Sequence, residues 1–142
     1  MQRIRLKRTH PDAELPVYKT EGSAGFDLAA CETVEIPPHQ VRRVALGWAM
    51  EVPPGHQMEI RPRSGISLKT AFLVVHGTVD SDYRGEIAAI VRNESNNDET
   101  VHAGDRIAQG VLTRVELAVF KEVADLTDTV RGAAGFGSTG IV

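Results

Sequence analysis

Apolar and polar residues alternate with a period of two through much of the chain. Between residues 34 and 60 the apolar positions are Val34 and Ile36, then Leu46, Trp48, Met50 and Val52, then Met58 and Ile60. That period sends successive side chains to opposite faces of an extended strand, so each run carries one apolar face. Each run stops at a turn former: Pro37-Pro38, Pro53-Pro54-Gly55 and, further on, Gly104-Asp105. The same reasoning predicts strands over 72–75 (FLVV), 86–93 (EIAAIVRN), 107–115 (IAQGVLTRV) and 117–123 (LAVFKEV). Helical periodicity is weak. A turn or two is expected over 64–71, and another over 124–130, ended by Gly132. Short strands punctuated by Pro and Gly predict an antiparallel sandwich or barrel, with no internal repeat and no linker dividing it.

The composition narrows the class. A chain of 142 residues makes one domain, and 42% hydrophobic with 25% charged residues is the balance of a soluble globular protein. Four Phe, two Tyr and one Trp leave the core to Val, Ile, Leu and Ala. A net charge of -3 argues against a general nucleic-acid or membrane-surface binder. The single Cys31 excludes an internal disulfide and any multi-thiolate metal site within one chain. No apolar run reaches the roughly 20 residues of a membrane helix, and the start MQRIRLKRTH lacks the apolar stretch of a signal peptide. The expectation is a cytoplasmic, or at least intracellular, protein.

Candidate chemistry sits in five short segments. In RPRSGIS (61–67), Arg63 suits a forked contact to phosphate, Ser64 supplies a hydroxyl, and Gly65 lets a ligand approach the backbone. An exposed turn with arginines is the plain alternative. In GDRIAQG (104–110), Gln109 is either a ligand contact or a strand residue facing solvent. The end of the chain, TVRGAAGFGSTGIV (129–142), has neither strand nor helix period and holds four of the thirteen glycines. It is a frayed terminus or a set of glycine turns whose N–H groups can hold phosphate. Asp27 follows Gly25-Phe26 in an apolar stretch. Asp80 closes the hydrophobic run through GTVD, is expected at the end of a buried strand, and could take a proton from water there. Tyr83, three residues on, packs either a ligand or a hairpin. The five histidines show no HExxH spacing, and GxSxG, Walker and GxGxxG patterns are absent.

In order and spacing these segments resemble the trimeric deoxyuridine triphosphatases. AGFDL (24–28), PRSG (62–65), GTVDSDYRGE (77–86), GDRIAQ (104–109) and RGAAGFGSTG (131–140) match that family's five motifs. The resemblance implies an all-β, jelly-roll-like distorted barrel or sandwich with one short helix. It further implies a homotrimer whose sites draw on all three chains, with a β core over 1–128 and a flexible glycine-rich arm over 129–142. That arm would close over a neighbouring subunit's site. The implied reaction is dUTP plus water giving dUMP and pyrophosphate with Mg²⁺, which limits uracil in DNA and supplies dUMP for dTMP synthesis. By motif match, Asp80 would deprotonate the attacking water and meet the sugar 3′-hydroxyl, and Tyr83 would lie under the deoxyribose and exclude a 2′-hydroxyl. Arg63, Ser64 and Gly65 would hold phosphate oxygens with Gln109 assisting, and Asp27 would meet Mg²⁺ through water. In the arm, Arg131 would pair with the terminal phosphate, Phe136 would cover uracil, and Gly137, Ser138 and Thr139 would wrap the phosphates.

One departure bears on base recognition. Many bacterial relatives place an Asn shortly before the GTxD run, where this chain has Val74, Val75 and His76. The backbone of Gly77, Thr78 and Val79 is then left to read the base. Two rival readings remain. A deoxycytidine triphosphate deaminase is similar in fold but needs a Glu where Ile90 stands. A non-catalytic nucleotide-binding module of the same fold would not require an intact Asp80, Tyr83 and Arg131.

Overall fold

The computed structural model describes residues 1–140. Strands β1 (Arg5–Arg8), β4 (Val41–Glu51), β8 (Glu86–Asn93) and β6 (Phe72–Val75) form one antiparallel sheet in that spatial order. Strands β2 (Phe26–Ala29), β10 (Arg106–Arg114), β5 (His56–Arg61) and β7 (Gly77–Val79) form a second, and β3 (Val34–Ile36) pairs with β9 (Glu99–Val101) as a ribbon. The inner faces of both sheets meet in one core that includes Phe26, Leu46, Met58, Ile60, Val91 and Ile107. The architecture is the expected all-β, jelly-roll-like sandwich. It is not closed into a barrel.

Alternation predicts one buried face on β4, yet Val44 through Met50 are all buried. The second face is covered by preceding segments of the chain. Thr9 N–H donates to the Gly47 carbonyl at 2.9 Å, and Cys31 N–H to that of Ala45 at 3.0 Å. A register shift between Ala45 and Ala49 bends the strand toward them. Gly47 makes this possible at φ +77°, since a Cβ there would lie 2.5 Å from that of Ala13. Among the described residues Asn93 is the one buried polar side chain, and its amide is fully used. Nδ2 donates to the carbonyls of Ile36 and Asn97 at 2.8 and 2.7 Å, and Oδ1 accepts from Ser95 N–H at 2.8 Å, tying β8 to the ribbon.

The short helix α1 (Ser64–Lys69) falls where expected and stops at Thr70, whose N–H and hydroxyl both donate to the Ile66 carbonyl. Two other expectations fail. The strand over 117–123 is absent: Leu117, Val119 and Phe120 are 93%, 97% and 94% exposed, and the segment pairs with no strand among the described residues. An alternating segment becomes a strand only where a neighbour completes its ladder. The helix over 124–130 is absent as well, because Asp125, Thr127, Asp128 and Thr129 are weak helix formers and no body surface receives an apolar face there. No described helix is long and apolar enough to cross a membrane.

Candidate active site

The first candidate cleft opens where β2, β10 and the end of β5 come together. It has a volume of about 320 Å³ and is lined by Lys19, Ser23, Asp27, Arg63, Ser64, Gly65 and Gln109 among others. Cross-strand pairing sets Asp27 directly opposite Gln109, and Gln109 opposite Arg61, so three of the five motifs converge. Asp27 is largely buried and sits among cations. Arg63 Nε lies 3.1 Å from Oδ1, Arg106 Nη1 3.2 Å from Oδ2, and Lys19 Nζ 4.0 Å from Oδ2. Three cations against one carboxylate leave the cleft positive, in a chain whose net charge is negative. Gln109 Nε2 donates to the Pro62 carbonyl at 2.9 Å, and Arg63 Nη1 to that of Arg106 at 2.8 Å. Both bonds hold the PRSG turn in place. Gly25 permits this closeness, since a Cβ there would stand 2.5 Å from Gln109 Oε1. At Gly65 the same test meets open space, so its own fold does not require a glycine there.

The second candidate region is the turn after β7. Asp80, Ser81 and Asp82 face a cleft of about 420 Å³ together with Gly55, His56, Gln57, Val115 and Leu117. Val79 is buried, but Asp80 is exposed, which corrects the expectation of an aspartate at a buried strand end. The reason is position: β7 is the edge strand of its sheet, and the chain turns outward immediately after it. Tyr83 N–H donates to the Asp80 carbonyl at 3.2 Å, and Arg84 Nη1 donates to the carbonyls of Ser81 and Tyr83 at 2.8 and 3.0 Å. The Tyr83 hydroxyl donates to the Glu86 carbonyl at 3.0 Å, and its ring lies so close to Gly85 that a Cβ there would collide with it. Because Gly77–Val79 is an edge strand, N–H and C=O groups on its outer side lack a strand partner. His76 occupies the crossing between β6 and β7, with Nε2 3.8 Å from Glu59 Oε1.

The third region is the end of the chain. Successive turns are closed by Gly132 N–H to Thr129 O, Ala134 N–H to Arg131 O, Ser138 N–H to Gly135 O and Gly140 N–H to Gly137 O. Arg131 Nε donates to the Ala134 carbonyl at 2.8 Å. Phe136 is fully exposed and takes φ +51°, unusual for a bulky side chain, with Gly137 following at φ +83°. Ser138 and Thr139 are exposed too. Residues 141–142 lie outside the described residues.

Within one chain, therefore, Asp27, Arg63, Ser64, Gly65 and Gln109 are brought together, and Gly77, Thr78, Val79, Asp80 and Tyr83 form a separate group. Arg131, Phe136, Gly137, Ser138 and Thr139 join neither. Lys19 and Arg106 are the charged site residues that sequence reasoning missed. Arg106 stands inside the GDRIAQ motif, but its pairing with Asp27 spans 79 positions. Among the described residues no three acidic, histidine or cysteine side chains cluster as a metal cage.

The dUTPase family model matches residues 11–140. The deoxyuridine 5′-triphosphate nucleotidohydrolase of Wolinella succinogenes is 49% identical over 140 residues, covering 97% of this chain and 94% of the relative. That of Helicobacter pylori (strain P12) is 47% identical over 141 residues, covering 98% and 97%. In fold, a Staphylococcus bacteriophage 80alpha dUTPase solved with dUpNHpp superposes with a TM-score of 0.93 at 24% identity, covering 99% of this chain and all of that one. A match spanning all five motifs, with relatives of nearly equal length and close to half identity, places the chain in the dUTPase family.

Proposed function

We propose that the protein hydrolyses dUTP to dUMP and pyrophosphate at sites assembled from more than one copy of the chain. The observation that carries the reaction is the 49% identity, over almost the full length, to a deoxyuridine 5′-triphosphate nucleotidohydrolase. Strand geometry supports the sharing between copies. Val79 pairs with Met58, so Asp80 lies at the level of Gln57, while Arg63 lies beyond the opposite end of β5. Six residues of extended chain span roughly 20 Å. A base at one end and the phosphate cations at the other cannot both serve one α-phosphorus, whereas a cation cleft from one copy beside an Asp80 turn from the next can. The exposed 117–123 segment, unpaired among the described residues, fits the same scheme, in which the arm reaches the site of a neighbouring copy.

In this reading water attacks the α-phosphorus, its proton passes to the Asp80 carboxylate, and the bond from the α-phosphorus to the bridging oxygen breaks to release pyrophosphate. The exposure of Asp80 suits a group that must meet both a water and the 3′-hydroxyl of a dUTP whose phosphates lie in a neighbouring copy's cleft. Tyr83 presents its ring beneath the deoxyribose, and the outer backbone groups of Gly77, Thr78 and Val79 read the uracil edge. Arg63, Ser64, Gly65 and Gln109 bind phosphate oxygens. Arg131, Phe136, Gly137, Ser138 and Thr139 close over the triphosphate and base from the arm.

Mg²⁺ fits the donor set. The described residues offer no cage of their own, and Mg²⁺ commonly keeps several waters and binds through substrate phosphates plus one or two carboxylates. Asp27 is the carboxylate lining the phosphate cleft, and it would meet the ion through water. When bound, the ion would neutralise charge developing on the triphosphate. A structural Mg(II) ion is described in the dUTPase of phage phi11 of S. aureus, a fold relative with a TM-score of 0.84 at 20% identity.

The direct test is a pyrophosphate-release assay with dUTP, dCTP, dTTP and UTP. Release with dUTP alone is expected. Ammonia released from dCTP would replace this reading with that of the deaminase, although Ile90 occupies the place of the Glu which that chemistry needs.

A further inference from the structure

Tyr83 is anchored from outside its own turn. Its hydroxyl donates to the Glu86 carbonyl, and Arg43 Nη2 reaches the same carbonyl at 3.4 Å while donating to Glu86 Oε1 at 3.1 Å. In the β4–β8 register Arg43 stands opposite Ile90, with the small Ala45–Ala88 pair between it and Glu86. Two methyl side chains leave the long guanidinium stem a path along the sheet. The ring of Tyr83 rests on Gly85, where no side chain could be inserted.

Bonding from the Thr9 hydroxyl, and then from Arg43, holds the Glu86 carboxyl below the ordinary range despite partial burial; the Arg43 and His10 charges add to this. Its anionic form is therefore the one that the array is built around. An isolated exposed cross-strand pair would be worth little. This pair converges on the atom that fixes a tyrosine hydroxyl.

We infer that Arg43 is a positioning residue for sugar discrimination: by holding Glu86 it fixes the carbonyl that anchors Tyr83, and so keeps the ring close enough to exclude a 2′-hydroxyl. The inference rests on the reading of Tyr83 as the surface beneath the deoxyribose. A wall that discriminates by contact works only if it cannot retreat, because rejection of one added hydroxyl depends on tight packing. Loss of the brace should relax that contact and leave the acid–base step untouched.

The experiment compares kcat and KM for dUTP, UTP and dCTP in the wild-type protein and in Tyr83→Ala, Arg43→Ala, Arg43→Lys and Glu86→Gln, with melting temperatures for each. Tyr83→Ala should lower the preference for dUTP over UTP. Arg43→Ala should lower it by about tenfold, the scale of one lost hydrogen bond to a charged group, with kcat on dUTP kept within about threefold. Arg43→Lys should restore part of the preference, and the preference over dCTP should not move. Glu86→Gln keeps the carbonyl and the volume, so it should fall in between and decides the matter if Arg43→Ala does not fold. Variants that melt earlier yet keep the full preference for dUTP over UTP would overturn the inference and reduce the pair to a structural one. An unchanged preference in Tyr83→Ala would overturn both the inference and the role given to Tyr83.

Discussion

The cation cleft and the glycine-rich end of the chain are both rich in groups suited to phosphate, but they are organised in opposite ways. In the cleft every charged group is already engaged. Arg63, Arg106 and Lys19 surround Asp27, and Gln109 holds Pro62. Over 129–140 each turn closes on itself, and the hydrogen bonds of Arg131 and Gly132 go to residues at most three positions away. Binding at a preorganised cleft loses little to ordering, whereas a segment without partners must be ordered by what it binds. The cleft is thus suited to selecting and holding a triphosphate, and the arm to responding once one is present.

The sharpest way to break this comparison is at the candidate base, which belongs to neither region. Asp80→Asn preserves shape and removes the proton acceptor. Turnover of dUTP should fall by about 10²- to 10⁴-fold, the usual contribution of a general base, while affinity for a non-hydrolysable dUTP analogue stays close to wild type. Wild-type turnover in that variant would remove Asp80 from the mechanism. The arm comes next. A chain ending at Val130 should keep its fold and its melting temperature, since residues 131–140 lie outside the packed core, while kcat/KM for dUTP falls by roughly 10²-fold as water exclusion and phosphate contacts are lost. Unchanged kinetics in the truncated chain would make the glycine turns an ordinary terminus.

A smaller effect probes the preorganised half. Gly25→Ala would put a methyl group 2.5 Å from Gln109 Oε1 and push that side chain off the Pro62 carbonyl. KM for dUTP should rise by about tenfold with little change in kcat, as uniform binding is lost while the chemistry is kept. An equal fall in kcat and kcat/KM would show instead that the cleft acts only in the transition state.

How much of this was legible in the sequence differs between the same regions. Alternation and short apolar runs located β3, β5, β6, β8 and β10; β3, β5, β6 and β8 each bury one face, while in β10 a register shift buries Ile107 and Ala108 together. It missed β1, where Arg5, Lys7 and Arg8 flank a single apolar Leu6 in an edge strand. It understated β4, whose second face is buried by residues far away in sequence. It also drew a strand over 117–123, where the pattern is real but the described residues of one chain supply no partner. Candidate site residues were found through motifs, which record chemistry without geometry. That is why Asp27 and Arg63 were named while their partners Lys19 and Arg106 were not, and why Asp80 was expected at a buried strand end rather than on an exposed turn. The spread of the candidate groups over three regions was illegible in any single motif. It follows from strand pairing, which sets Asp80 and Arg63 at opposite ends of β5.

The smallest expected effect lies in stability, and it isolates the Glu86 carboxylate within the fixed body. Glu86 has a folded-state pKa below its unfolded value, chiefly through the Thr9 hydroxyl and Arg43. A carboxylate shifted in that direction contributes stability that is fully present above the unfolded value, near about 4.3 for Glu, and is lost as pH falls through the lower folded value. The wild-type protein should therefore melt a few degrees above Glu86→Gln at neutral pH, on the order of what a fraction of a kcal/mol to 1 kcal/mol produces in a domain of this size. The gap should hold at every pH above the unfolded value and shrink as pH falls below about 4.3 toward the lower folded value. Melting curves from pH 7 to pH 3 test this directly. A gap that stayed constant across the whole range would mean that the Glu86 carboxylate gains nothing from its partners, and that the anchoring of Tyr83 rests on the Glu86 carbonyl alone.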